Sequence, residues 1–164
     1  MCLWCNIGSQ YCHGHKQSKY FVVLSGEKKN SWGVRMALRI VIPGTLPNLN
    51  DYIEAERISK YKAAALKRET ENAIGYYINL AKRQQEMPGP PVTMHYTWIE
   101  PNRRRDLDNI SSFGRKVIQD SLVTAGILPN DGWKHIAGFS DSFEVDAKNP
   151  RVEIEIRSLV GAGG

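Results

Sequence analysis

Arg103-Arg104-Arg105-Asp106-Leu107-Asp108-Asn109 runs three cations directly into two carboxylates spaced i, i+2. In an extended backbone such a pair points to one side, because strand side chains alternate with period two. Two carboxylates held together repel, and a shared cation relieves the repulsion. Mg²⁺ is the hard, oxygen-seeking ion for such a pair, commonly held by one or two carboxylates plus phosphate oxygens. The neighbouring guanidinium groups suit a phosphate backbone. These residue types in this order point to a metal-assisted site for a polyanion. A plainer reading stands beside it: Asp108 or Asn109 caps the helix that follows, and both aspartates sit near its positive end and pair with the arginines.

The elements that must position this stretch read from the pattern. Residues 37–42 form a strand, and the Pro/Gly/Asn loop up to Asn50 breaks it. A helical region follows from about Asp51 to Gln85, capped by Asn48 or Asn50, with Gly75 or the Glu54–Lys60 segment as a point of interruption. Its many Lys, Arg and Glu residues read as a solvated face. Met87-Pro-Gly-Pro-Pro91 ends it. From Val92 to Ile99, Val92, Met94, Tyr96 and Trp98 alternate with polar residues, as in a half-buried strand, and His95 reads as a surface residue of that strand rather than a ligand.

From Asn109 to about Ala125, Ile110, Phe113, Val117, Ile118, Leu122 and Ala125 recur at helical spacing, and Gly126 is a natural stop. Asp108, Ser112 and Lys116 fall at i, i+4 and i+8, one polar row along which Lys116 reaches back toward the carboxylates. Its plainer role is a weak surface pair with Asp120. The next loop carries a third carboxylate, Asp131, where Asp-Gly also reads as turn chemistry. Two short pieces, 134–139 and 143–145, read as strand, and residues 151–157 alternate as a strand. The expected fold class is therefore α/β (α+β): one domain with a mixed β-sheet flanked by helices.

The length of 164 residues suits a single domain. No apolar run approaches the roughly 20 residues of a membrane span, and the N-terminus lacks a secretory layout. The expectation is a cytoplasmic protein with no membrane partner. The net charge of +5 is uneven: five of the 22 basic residues and one of the 17 acidic residues fall in 1–35, which leaves 17 against 16 in the remainder. Bulk charge does not make the main domain a nucleic-acid binder, and only a local cluster such as Arg103–Arg105 would.

Residues 1–35 read as a separate N-terminal extension, disordered or non-native, with 36–164 as the domain and Met36 as a natural start. All three cysteines lie in the extension, and Cys2, Cys5, Cys12 and His15 have zinc-ligand chemistry, although the six-residue loop between the pairs is short.

Four features give residues 36–157 a resemblance to a known family. The first strand runs into Ile42-Pro-Gly-x-Leu-Pro-x-Leu-Asn-x-Tyr52; Arg-Arg-Arg-Asp-Leu-Asp-Asn109 forms the centre; Lys116 stands four residues before Asp120-Ser-Leu; and Ala125-Gly-Ile-Leu-Pro-Asn-Asp131 brings the last acid. In this order they resemble the RusA family of Holliday-junction resolvases, most closely its phage and prophage members. The resemblance implies a homodimeric endonuclease that binds four-way DNA junctions and nicks two opposing strands with Mg²⁺, Mn²⁺ serving as a substitute. It assigns Asp106, Asp108 and Asp131 as metal-binding acids and Lys116 as the essential lysine. Arg103, Arg104 and Arg105, with Lys116, would meet the DNA backbone. Two departures stand out: the Asp108–Lys116 segment is longer by about one helical turn than in the founding enzyme, and Asn130 replaces a second acid. The competing expectations are a branched-DNA binding module without cleavage and a nuclease for flaps or forks.

Overall fold

The computed structural model describes residues 37–159. The zinc reading of Cys2, Cys5, Cys12 and His15 lies outside these residues. Four strands, β1 (Leu38–Pro43), β2 (Val92–Glu100), β3 (Ile136–Val145) and β4 (Arg151–Ser158), form one sheet in the order β1-β4-β2-β3. The β1–β4 and β4–β2 pairs are antiparallel, whereas β2 and β3 run parallel, so the sheet is mixed and the fold is α+β as expected. A parallel pair needs a crossover, and α3 (Leu107–Thr124) supplies it.

Alternation builds the core. Leu38, Ile40 and Ile42 of β1, Val92, Met94, Tyr96 and Trp98 of β2, and Val152, Ile154 and Ile156 of β4 are buried together. They meet Ile74, Ile78 and Ala81 of α2 (Lys60–Gln84) and Phe113, Val117, Ile118 and Leu122 of α3. The intervening strand positions, among them Arg39, Thr93, His95, Glu153, Glu155 and Arg157, form a polar opposite face. His95 is half-buried there, with Nδ1 2.7 Å from Ser140 Oγ and Nε2 3.2 Å from Ser142 Oγ, which agrees with a strand-face role.

Asn48 closes a capping box at the start of α1 (Leu49–Ile58), with Asp51 Oδ2 accepting from the Asn48 N–H at 2.8 Å and Asn48 Oδ1 accepting from the Asp51 N–H at 3.0 Å. The helical region breaks at Ser59, not at Gly75. Ser59 is extended (φ −170°, ψ 150°); its N–H closes α1 on Ala55 O at 3.0 Å, and its hydroxyl accepts from the Lys62 N–H at 3.1 Å to open α2. A hydroxyl that satisfies orphan donors makes the break cheap there, while Gly75 stays inside a continuous helix. At the far end of α2, the Gln85 amide clasps the outer edge of β1: Oε1 accepts from the Arg39 N–H at 2.9 Å and Nε2 donates to Arg39 O at 2.7 Å.

Gly114 sets how closely α3 lies on the sheet. A Cβ there would stand 2.5 Å from Trp98 Cη2 and 2.6 Å from Trp98 Cζ3. The indole is held in place because its Nε1 donates to Asp141 Oδ1 of β3 at 2.8 Å. The pieces expected at 134–139 and 143–145 are one continuous strand, β3. Its sequence hides this because Gly138, Ser140 and Asp141 interrupt the apolar alternation, while pairing with β2 keeps it extended.

Candidate active site

The site is built on α3 and on the two loops that flank it. β2 ends at Glu100, and Asn102 Oδ1 accepts from the Arg104 N–H at 3.0 Å to turn the chain. The three arginines then diverge. Arg103 and Arg104 are exposed. Arg105 turns inward: Nη1 donates to Glu100 Oε1 at 3.3 Å and Oε2 at 3.1 Å, and Nη2 donates to Leu46 O at 2.7 Å. Burial pushes the Glu100 carboxyl up from its ordinary value, and the Arg105 charge opposes that rise. Arg105 thus ties the end of β2 to the loop after β1 through Nη1 and Nη2, while its Nε is buried without a hydrogen-bond partner. The three arginines expected to meet a phosphate backbone are thus not alike: Arg103 and Arg104 face solvent, whereas Arg105 neutralises the carboxylate left at the strand end.

Asp106 is the N-cap of α3, in extended conformation (φ −72°, ψ 140°), and its backbone carbonyl accepts from the Ile110 N–H at 3.1 Å. This corrects the expectation that Asp108 or Asn109 caps the helix. The Asp106 side chain makes no capping bond; Asn109 Nδ2 donates to its Oδ2 at 3.2 Å. Asp108 already lies in the first helical turn, so the two acids do not share one face of a strand. Helix begins at Leu107, one residue too early for extended alternation to reach Asp108. The Ser112 hydroxyl lies 2.6 Å from Asp108 O and 3.2 Å from Asp108 Oδ1. Both aspartates are exposed, and neither makes an ion pair among the described residues.

Two turns further on, Lys116 is held by two acids: Nζ donates to Asp120 Oδ1 at 2.7 Å and to Asp131 Oδ2 at 3.0 Å. These bonds, Asp120 first, push its pKa above the ordinary lysine value. Lys116 therefore points away from the start of α3, not back along it as the polar row suggested, because the helix surface offers it a carboxylate one turn on and the next loop offers a second. Asp131 is free to pair because Asn130 performs the turn, its Oδ1 accepting from the Gly132 N–H at 2.9 Å. The buried Ile127 and Leu128 anchor that loop on the core.

One residue escaped the sequence reading. Lys67 of α2, assigned there to a solvated face, reaches across to Asp120 Oδ2 at 2.9 Å. Burial favours the neutral form of Asp120, but Lys116 and Lys67 outweigh it and hold the carboxyl below its ordinary value. No signal in the sequence separates Lys67 from the other cations of α2.

The arrangement thus contains two exposed, unpaired acids at a helix start and a third acid paired with a lysine about 12 Å of helix rise away, eight residues at 1.5 Å each. Among the described residues, no three His, Cys, Asp or Glu side chains come together in metal-holding geometry. The donor chemistry at the helix start nevertheless fits a hard cation: two carboxylates, open to solvent, neither in an ion pair among the described residues.

An α+β scaffold that presents acids, a lysine and arginines on one helix and its flanking loops has the parts of a phosphodiester-cleaving protein. The chain belongs to the RusA family: the family model described as Endodeoxyribonuclease RusA matches residues 26–157, most of the sequence. That membership supports a nuclease, and the family's endonucleases are Holliday-junction resolvases of DNA recombination. A search of curated proteins finds no match. No described helix is long and apolar enough to cross a membrane.

Proposed function

We propose that this chain is a Mg²⁺-dependent, structure-specific endodeoxyribonuclease that binds four-way junctions as a homodimer in the cytoplasm and resolves them by paired nicks in recombination and repair. The observation that carries the reading is the family match across residues 26–157 together with Asp106, Asp108, Lys116 and Asp131 standing in the family's order on α3 and its following loop.

Asp106 and Asp108 would hold Mg²⁺ (or Mn²⁺), which would supply an activated water and positive charge against phosphate oxygens, while Asp131 would hold Lys116. The chain's own groups do the rest. Arg103 and Arg104 position the backbone without reading its sequence. Lys116 neutralises negative charge that develops on the phosphate or on the leaving oxygen. Two copies related by a twofold axis present two such sites to a junction that must be cut symmetrically.

The separation of Asp131 from the two acids at the helix start favours a second reading, a branched-DNA binding module that does not cut. One experiment separates them: nicking of a synthetic four-way junction and of a linear duplex of the same sequence, with Mg²⁺ and with EDTA. Paired nicks on the junction alone, abolished by EDTA, are the expected outcome. Tight junction binding without a nick in Mg²⁺ or Mn²⁺ would replace the resolvase reading with the binding module, and equal nicking of flap or fork substrates would move the substrate class.

A further inference from the structure

Lys67, Asp120, Lys116 and Asp131 form an unbroken chain of alternating charge across α2, α3 and the loop before β3. The contacts are Lys67 Nζ to Asp120 Oδ2 at 2.9 Å, Asp120 Oδ1 to Lys116 Nζ at 2.7 Å, and Lys116 Nζ to Asp131 Oδ2 at 3.0 Å. We propose that Lys67 is a positioning residue for the cleavage reaction: by holding one oxygen of Asp120, it keeps Lys116 shared between Asp120 and Asp131 and so fixed where the reaction needs it.

Three observations carry this. First, the two Asp120 oxygens are divided between the two lysines, one each. A carboxylate bonded on one oxygen only would be free to rotate and to take Lys116 with both. Second, the pairs join different elements. Asp120 lies on the same helix as Lys116, whereas Lys67 comes from α2, so the Asp120 rotamer is fixed from outside α3. Third, the charges alternate and balance across the four groups, so removing Lys67 leaves Asp120 with a full charge directed at Lys116 alone. Glu71 is the further charged neighbour of Lys67, at 3.4 Å. The side chain of Asp120 is 22% exposed and that of Lys67 37%, so these pairs contribute little to stability and their main effect is on geometry.

The inference rests on the proposed resolvase activity, and its test keeps the two apart. In Lys67→Met, kcat for junction nicking falls about tenfold, less than the ~10²-fold that a 1 Å misplacement of reacting groups can cost. KM and the thermal midpoint stay at the parent values, and Lys67→Arg restores most of the rate. Asp120→Asn loses as much as the double variant Lys67→Met/Asp120→Asn, since both act through one carboxylate. Selectively labelled lysine NMR supplies a readout that does not need cutting: the Lys116 ammonium signal shifts in Lys67→Met and returns in Lys67→Arg. A parent-like kcat in Lys67→Met, additive losses in the double variant, or an unmoved Lys116 signal would each overturn the positioning role. A parent protein that binds junctions without nicking them, in which the Lys116 signal still responds to Lys67, would overturn the catalytic part and leave only the charge coupling.

Discussion

The start of α3 and its middle face opposite electrostatic conditions. At the start, Asp106 and Asp108 are exposed beside the positive helix end and make no ion pair among the described residues, and Arg105, adjacent in sequence, is engaged by Glu100. In the middle, Asp120 and Asp131 are matched by Lys116 and Lys67. One end is left with acids that no cation pairs among the described residues, while at the other every acid is paired with a lysine. The contrast teaches where an external cation and an external anion would each find a place: charge that the fold has not satisfied is available to a ligand, and charge that it has satisfied must first be released.

The largest effect should come from the end whose acids are unpaired. Asp106→Asn or Asp108→Asn lowers nicking by more than about 10²-fold, the scale that loss of even an outer-shell partner reaches at metal sites, while gel-shift binding of a four-way junction persists. Normal Mg²⁺-dependent nicking by either variant would remove that residue from the site and erase the contrast between the two ends of the helix.

Gly114→Ala comes next, because it strains the platform that carries both ends. Its methyl would meet the pinned Trp98 ring, and urea denaturation should show a loss of about 1–3 kcal/mol, the usual cost of overpacking. An unchanged midpoint would mean that α3 can lift off the sheet freely.

The arginines sharpen the comparison within a single tripeptide. Arg105→Met leaves the buried Glu100 carboxyl unpaired and should destabilise the fold by about 1–3 kcal/mol. Arg104→Ala should leave stability alone and reduce the salt dependence of junction binding by about one phosphate contact. Interchanged outcomes would reverse the roles given to the two residues.

The smallest effect is a pH dependence of the paired cluster. Lys116 and Lys67 hold the Asp120 carboxyl below its ordinary value of 3.8. A group whose pKa is lower in the folded state contributes stability above its unfolded value, and that contribution is lost as the pH falls through the folded value. Stability should therefore decline from about pH 4 downward more steeply in the parent than in Asp120→Asn. Identical acid limbs in urea titrations would show that the pair adds nothing.

Much of this architecture was legible in the sequence, for a physical reason. β1, β2 and β4 alternate because one sheet face is buried, and α3 shows its 3.6-residue stripe because it lies on that face. The motif order that led to the RusA family was equally local. What stayed hidden depended on partners far along the chain. Arg105 cannot be told from Arg104 without Glu100 and Leu46 beside it. Lys67 looks like any cation of α2 until Asp120 is placed opposite. β3 holds together through its pairing with β2, and its own residues break the pattern. The helix break, by contrast, was legible: Ser59 lies inside the Glu54–Lys60 segment named for it, and its hydroxyl cap is local.

The Gln85 clasp on Arg39 has a consequence for how the molecule breathes. An outer strand ordinarily frays residue by residue, and its outward amides exchange with solvent almost freely. Here the outward N–H of Arg39 is bonded to a side chain at the C-terminus of α2. Deuterium uptake at Arg39 should follow the opening of the last helical turn, so the strand edge and the helix end exchange as one cooperative unit. The same amide occupies both backbone groups that β1 would otherwise offer to an incoming strand at that position, so α2 also acts as a guard against edge-to-edge aggregation.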